Sequence, residues 1–162
     1  MRIKLLVMDV DGTLTDGKIH MGQSGELFKT FDIKDGYGIY SLLKKYDIIP
    51  AIITGRFSDI VLNRCSELGI TEIYQGCTDK IQPLYNLATK YNLMIDKYGI
   101  IKGCAYIGDD LIDLPCMEKC ELTACPADAV QEIRSIANYV CKTNGGNGAV
   151  REFIEWIIDN ND

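Results

Sequence analysis

The chain lacks any excess of basic residues: Lys+Arg 17 against Asp+Glu 23 leave a formal charge of −6 and a pI of about 4.8. It therefore has no broad basic field for nucleic acid or an anionic membrane, and neither is expected as a partner. An anionic substrate has to be met by local cations. Long hydrophobic runs are missing as well. The longest, near Ile48 to Ile53, falls far short of the roughly 20 residues that span a bilayer. At the start, MRIKLLVMDVDG, Asp9 and Asp11 interrupt the apolar stretch before signal-peptide length. A soluble, cytoplasmic protein is expected.

The seven cysteines (Cys65, Cys77, Cys104, Cys116, Cys120, Cys125 and Cys141) include no CxxC pair and are odd in number. That suits reduced thiols filling a core better than a disulfide framework. Cys116 and Cys120 fall at helical spacing, but no histidine accompanies them, which disfavours a metal there. Repeats, low-complexity stretches and linkers are absent too, so one domain over residues 1–162 is expected. With 47% hydrophobic and 25% charged residues the composition is that of a globular chain.

Ile3 to Met8 is a short apolar run ending in acids, as expected of a buried parallel strand whose carboxyl end points into a site. From Lys18 to Phe31, strand-like residues flank a Gly-containing turn and predict a β-hairpin flap. Alternating elements follow: helix Gly36 to Tyr46, strand Ile48 to Ile53, helix Ser58 to Leu68, a strand around Ile73 and helix Lys80 to Tyr91. Next come strand Ala105 to Ile107, helix Leu111 to Lys119, a strand near Leu122, helix Ala129 to Ile136, a strand near Tyr139 and an amphipathic helix Val150 to Ile158. Such alternation implies an α/β fold, a Rossmannoid parallel sheet with helices on both faces and ligands beyond the strands' carboxyl ends.

Four features fall at those ends: Asp9-Val10-Asp11-Gly12-Thr13, Thr54-Gly55-Arg56, Lys80 opening a helix, and Gly108-Asp109-Asp110 with Asp113. Each alone is commonplace; their order is not. In that order the chain resembles the haloacid dehalogenase superfamily of aspartate-nucleophile phosphatases. The stretches DGKIHMGQSGE, FDIKDGYGI, AIITGR, NRCSELGI, YIGDDLIDLPCM and GGNGAVRE look like its small cap-free subfamily, which acts on 3-deoxy-2-ulosonic acid phosphates. That subfamily includes octulosonate 8-phosphate phosphatases, their nine-carbon relatives and a domain attached to acylneuraminate cytidylyltransferases.

The resemblance implies that Asp9 is the nucleophile, forming an aspartyl phosphate, and that Asp11 is the general acid and base. Asp9, Asp109 and the backbone carbonyl of Asp11 would bind Mg²⁺, whose charge a dianionic ester and an attacking carboxylate require between them. Thr54, Gly55 and Arg56 would grip the phosphoryl oxygens, Lys80 would offset carboxylate charge, and Asp110 and Asp113 would stand behind them. Carried over by matched position, the substrate contacts are Asp32, Ile33, Lys34, Asp35, Gly36, Gly55, Arg56, Arg64 and Lys80. Tyr40 stands where octulosonate phosphatases carry Arg, which keeps the nine-carbon 9-phosphate open as an alternative.

No cap domain fits between the motifs, so closure is expected from the flap together with a neighbouring subunit, in a homotetramer. A receiver domain also uses acids, Mg²⁺, Thr and Lys, but its phosphoacceptor comes after its acidic pair. His20 reads as a surface imidazole and Trp156 as packing. Asn144 to Gly148 reads either as backbone near the phosphate or as a plain helix-opening loop. The tail after Glu152 is short, so no extended C-terminal arm is expected.

Overall fold

The structure is a computed structural model and describes residues 2–161. At its centre is β1 (Leu5–Met8), four apolar residues buried on both faces. It pairs in parallel with β4 (Ile49–Ile53) on one side and β6 (Ile101–Ile107) on the other. The sheet has six parallel strands, completed by β5 (Glu72–Tyr74), β7 (Cys120–Cys125) and β8 (Tyr139–Val140), in the order β5-β4-β1-β6-β7-β8. Because the chain leaves β1 in one direction to reach β4 and later returns on its other side at β6, a crevice opens at the carboxyl ends of these strands.

Register decides what reaches that crevice. Met8 stands opposite Ile52 and Ile107. The next residues along the three strands, Asp9, Ile53–Thr54 and Gly108–Asp109, therefore emerge together. Alternation along β1 sends Leu6 and Met8 into one hydrophobic cluster and Leu5 and Val7 into the other. On the first face lie α2 (Asp59–Glu67) and α6 (Ala149–Asn160), the latter contributing Val150, Phe153, Ile154 and Ile157. Each such buried side chain contributes about 1.5–3 kcal/mol. The second face is covered by α3 (Ile81–Lys90) through Leu84, Leu87 and Ala88, by α4 (Leu114–Met117) and by α5 (Gln131–Ile136).

The flap is a separate two-stranded sheet, β2 (His20–Gly22) and β3 (Gly25–Phe28), with His20 stacked on Phe28. Among the described residues no cap domain intervenes. α1 (Ile33–Tyr37) starts three residues earlier than the periodicity implied, because the Asp32 side chain accepts the Lys34 amide at 2.7 Å and caps it. A π-helical segment, Gly38–Leu43, continues it. β6 begins four residues earlier than expected. Gly103, at φ +76°, takes up a register shift between Ile101 and Ala105 that breaks the strand pattern. α4 is shorter than the expected Leu111 to Lys119 helix. Residues 110–113 form a turn around the Asp113 carboxylate, and Pro115 opens the helix. Cys120 consequently lies on β7, not on a helix with Cys116, and its sulfur sits 3.6 Å from that of Cys104. All seven cysteines are free, and burial pushes the Cys116 thiol up to about 12 and Cys125 to about 11.

Candidate active site

Asp9 sits at the tip of β1, 5% exposed, with Oδ1 accepting from Lys80 Nζ at 2.8 Å. Lys80 immediately precedes α3 and is equally buried; its ammonium also donates to Asp113 Oδ1 at 2.7 Å. Asp113 has no exposed surface. Its Oδ1 also accepts from the Tyr106 hydroxyl at 2.7 Å, and its Oδ2 accepts the Asp109 and Asp110 amides at 3.0 and 3.3 Å. This carboxylate ties β6, the loop after it and Lys80 together. Gly108 makes room for it, since a Cβ there would lie 2.4 Å from Asp113 Cγ. Asp109 lies over Gly12 in the same way: a Cβ on Gly12, at φ +90°, would fall 2.0 Å from Asp109 Oδ2.

Carboxylate oxygens of Asp9, Asp109 and Asp113 come within 4.8 Å of one another. Burial, then the Asp113 charge, pushes Asp9 up to about 6 despite Lys80. Burial, then the charges of Asp9, Asp113 and Asp110, pushes Asp109 up to about 8. Burial alone would lower Lys80, but Asp9 and Asp113 outweigh it and hold the ammonium charged. One buried cation thus faces three carboxylates, and the deficit of positive charge fits a divalent ion. Asp113, saturated by four donors, has no role as a ligand. Asp9 and Asp109 keep free hard oxygens of the kind Mg²⁺ prefers.

These groups open onto a cleft of about 280 Å³ lined by Asp9, Asp11, Gly17, Thr54, Gly55, Arg56, Lys80, Asp109, Asp110 and Ile112. The Asp11 carboxylate turns towards Lys29 Nζ, at 2.5 Å, and Arg56 Nε, at 3.8 Å. Thr54 is buried at the end of β4, its amide bonded to the Tyr74 carbonyl. Behind the first loop lies a backbone-on-backbone contact. A Cβ on Gly145 would meet the Gly12 carbonyl oxygen at 1.9 Å, and the Gly146 amide donates to the Thr13 carbonyl at 3.1 Å. Asp128 and Glu152 anchor this glycine loop through Gly145, Lys142 and Thr143. The stretch from Asn144 to Gly148 therefore supports the Asp9–Asp11 loop as well as opening α6.

The remaining expected contacts gather elsewhere, around a nearly closed cavity lined by Val10, Leu14, Phe31, Asp32, Asp35, Gly36 and Arg64 among others. Asp35, expected to touch substrate, is 1% exposed and turned inward, where its Oδ1 accepts the Arg151 amide at the start of α6. It caps that helix, since α6 begins at Gly148 without a side-chain cap of its own. Burial pushes Asp35 up to about 6. Arg64 lies across Gly36 and over the Phe31 ring, with its Nε, like Asp35 Oδ2, unpartnered. Asp32 is spent on capping α1, Lys34 is exposed, and Ile33 is 82% exposed. Tyr40 lines a surface groove with Lys44 and Asp47, remote from the catalytic cleft.

Sequence patterning missed Glu26, Lys29, Ser58 and Tyr106. Glu26, on β3, accepts from Ser58 Oγ at 2.6 Å, Lys29 Nζ at 3.0 Å and Arg56 at 3.3 Å. Burial would raise its pKa, but these hydrogen bonds and charges hold it below the usual carboxylate range. The available signal was two opposite charges in a predicted flap otherwise free of acids.

A parallel sheet with paired acids at its first strand tip, a Thr at the next and a Lys–Asp pair behind defines a hydrolase class. The model of the haloacid dehalogenase-like hydrolases matches residues 20–154, and the chain belongs to that family. Within it, the chain is 45% identical over 156 residues to the 3-deoxy-D-manno-octulosonate 8-phosphate phosphatase of Escherichia coli K12, covering 96% of this chain and 79% of that protein. The crystal structure of the phosphatase of that name from Yersinia pestis superposes with a TM-score of 0.91 at 42% identity, over 99% of this chain and 83% of that one. The Moraxella catarrhalis phosphatase, solved with a magnesium ion, a phosphate ion and a KDO molecule, gives 0.88 at 41% identity, over 97% and 86%.

Proposed function

We propose that the chain is a single-domain, Mg²⁺-dependent phosphomonoesterase that removes phosphate from 3-deoxy-D-manno-octulosonate 8-phosphate. The observation that carries this reading is the buried Asp9–Lys80–Asp113 ladder opening onto a cleft with Asp11, Thr54 and Asp109. Relatives that share over 40% of the sequence, and bear that substrate in their names, support it.

Asp9 attacks phosphorus, its carboxylate aimed by Lys80, and the ester oxygen leaves with a proton from Asp11. Asp11 then takes a proton from the water that cleaves the acyl phosphate. Thr54 and the Gly55 and Arg56 amides receive the phosphoryl oxygens, and Lys80 limits the repulsion between Asp9 and the dianion. Asp110 and Asp113 hold the loop that carries Asp109. Asp9, Asp109 and the Asp11 carbonyl would hold Mg²⁺, which when bound screens carboxylate from phosphate. Arg56, at the cleft, is the cation for the sugar-acid carboxylate.

In the sequence, Tyr40 leaves open a competing substrate, a nine-carbon 9-phosphate; that side chain lies in a groove apart from the cleft, and the relatives named for the eight-carbon ester favour the first reading. Phosphate release measured as kcat/KM with Mg²⁺ over a panel of ulosonic acid phosphates decides between them. Preference for the eight-carbon ester supports the first reading; no turnover of any member refutes both. A cytoplasmic location is part of the same proposal. Separately, no helix among the described residues is long and apolar enough to cross a membrane. It assembles as a homotetramer, for which the exposed Met21, Leu27, Ile33 and Tyr37 supply apolar surface. Light scattering tests this, and a fully active monomer refutes it.

A further inference from the structure

The flap is tied to the cleft by charge. Lys29 follows β3, and its side chain is 2% exposed because the ammonium is sandwiched between two carboxylates, Asp11 Oδ1 at 2.5 Å and Glu26 Oε2 at 3.0 Å. Glu26 in turn accepts from Ser58 Oγ at 2.6 Å and from Arg56 at 3.3 Å, and Arg56 approaches Asp11 Oδ2 at 3.8 Å. The four charged side chains form a closed ring, Asp11–Lys29–Glu26–Arg56, with two members from the flap and two from the catalytic strand ends.

A hairpin whose strands are three and four residues long has little stability of its own. These contacts are therefore what seat it. Conversely, Asp11 stands beyond the sheet register and has no hydrogen bond from the core to fix its carboxylate; among the described residues, Lys29 and Arg56 are the cations that pair with it. Burying an ammonium without such partners is costly, so Lys29 stays in place only while both carboxylates face it.

We infer that Lys29 is a positioning residue for the proton-transfer step: by seating the flap it fixes the Asp11 carboxyl group towards the leaving-group oxygen. Flap opening then releases Asp11 and Arg56 together, so the Asp11 carboxyl group is held in place only when the flap is shut. Glu26 holds Lys29 and Arg56 at the spacing that leaves Asp11 between them. This inference rests on the proposed phosphatase reaction, in which Asp11 protonates an alkoxide.

The test compares wild type, Lys29→Met and Lys29→Arg on two esters, a sugar-acid phosphate whose alkoxide needs a proton and p-nitrophenyl phosphate, whose phenolate leaves without one. General acid help is worth on the order of 10²–10⁴ in rate. For Lys29→Met, kcat on the alkyl ester should fall about 100-fold, against less than about 3-fold on the aryl ester, with KM little changed. Lys29→Arg should restore most of the alkyl rate. Equal losses on both esters, or none on the alkyl ester, overturn the inference.

A second measurement is independent of turnover. Amide hydrogen exchange over residues 18–31 should accelerate at least about 10-fold in Lys29→Met while the sheet core keeps its protection. Unchanged flap exchange overturns the inference even if the wild type hydrolyses neither ester, the outcome that would instead remove the phosphatase reading.

Discussion

Asp113 touches neither cleft nor solvent, yet its removal should be among the most damaging single changes in the molecule. Its carboxylate receives the Lys80 ammonium, the Tyr106 hydroxyl and two backbone amides, all at 2.7 to 3.3 Å. Asp113→Ala leaves the buried Tyr106 hydroxyl without its partner, at about 1–3 kcal/mol, frees two part-buried amides at a smaller cost, and strips the buried ammonium of one of its two counter-ions. Against this, the change relieves Asp9 and Asp109 of a neighbouring negative charge that raises both of them. The balance is a loss of about 3–5 kcal/mol, the range for breaking a buried pair. In a chain of this length that lowers Tm by about 6–20 °C. Asp113→Asn keeps one acceptor and should lose less stability, but its NH₂ group opposes either the amides or the ammonium, so Lys80 is still misplaced. Thermal unfolding of the metal-free protein, with kcat measured alongside, reads both effects. An Asp113→Ala protein within about 2 °C of wild type and with unchanged kcat would refute the assignment of this side chain as the tie between Lys80 and the Asp109 loop.

Asp35 offers a test with a defined sign. Its folded pKa, about 6, lies above the ordinary 3.8, so its contribution is fully present below the unfolded value and is lost as pH rises through about 6. Asp35→Asn keeps the acceptor for the Arg151 amide without the charge. Its stability relative to wild type should increase from pH 4 to pH 8, by up to about 3 kcal/mol; urea unfolding that shows the same difference at both ends contradicts this. Mg²⁺ should raise the Tm of the metal-free protein, more at pH 8 than at pH 6, because protons on Asp9 and Asp109 compete with it. A chelator should abolish both the shift and turnover. Gly12→Ala should displace Asp109, whose Oδ2 occupies the space of the new Cβ, and strain a backbone at φ +90°. A loss of about 1–3 kcal/mol together with weakened Mg²⁺ binding, read by calorimetry, is expected.

The strand tips were readable from the sequence because a parallel β1 must be apolar throughout. The abrupt change from Met8 to Asp9 could only mark its end, and the same reasoning located Thr54 and Asp109. Where local propensity and tertiary packing disagreed, the boundaries moved. Gly103 reads as a strand breaker but serves as a bulge, and Leu111 to Asp113 reads as helix but wraps around its own carboxylate. The flap's position was hidden for a different reason. Glu26 and Lys29 act through Asp11 and Arg56, residues brought to them only by folding, and the two opposite charges in the hairpin do not by themselves say which strand ends they meet. Asp35 shows the converse: a carboxylate in a stretch matched to substrate contacts turns inward to complete a helix more than a hundred residues away, as its bond to Arg151 shows.

The central claim is that Asp9 carries the phosphoryl group between the two half-reactions. Acid quench of the enzyme in steady-state turnover with Mg²⁺, followed by peptide mass spectrometry, tests it most directly. The peptide containing Asp9 should gain the mass of one phosphoryl group, borne by Asp9, and Asp9→Asn should show neither that adduct nor turnover. Sustained hydrolysis by Asp9→Asn, or a phosphoryl group found on any other residue, would contradict the account.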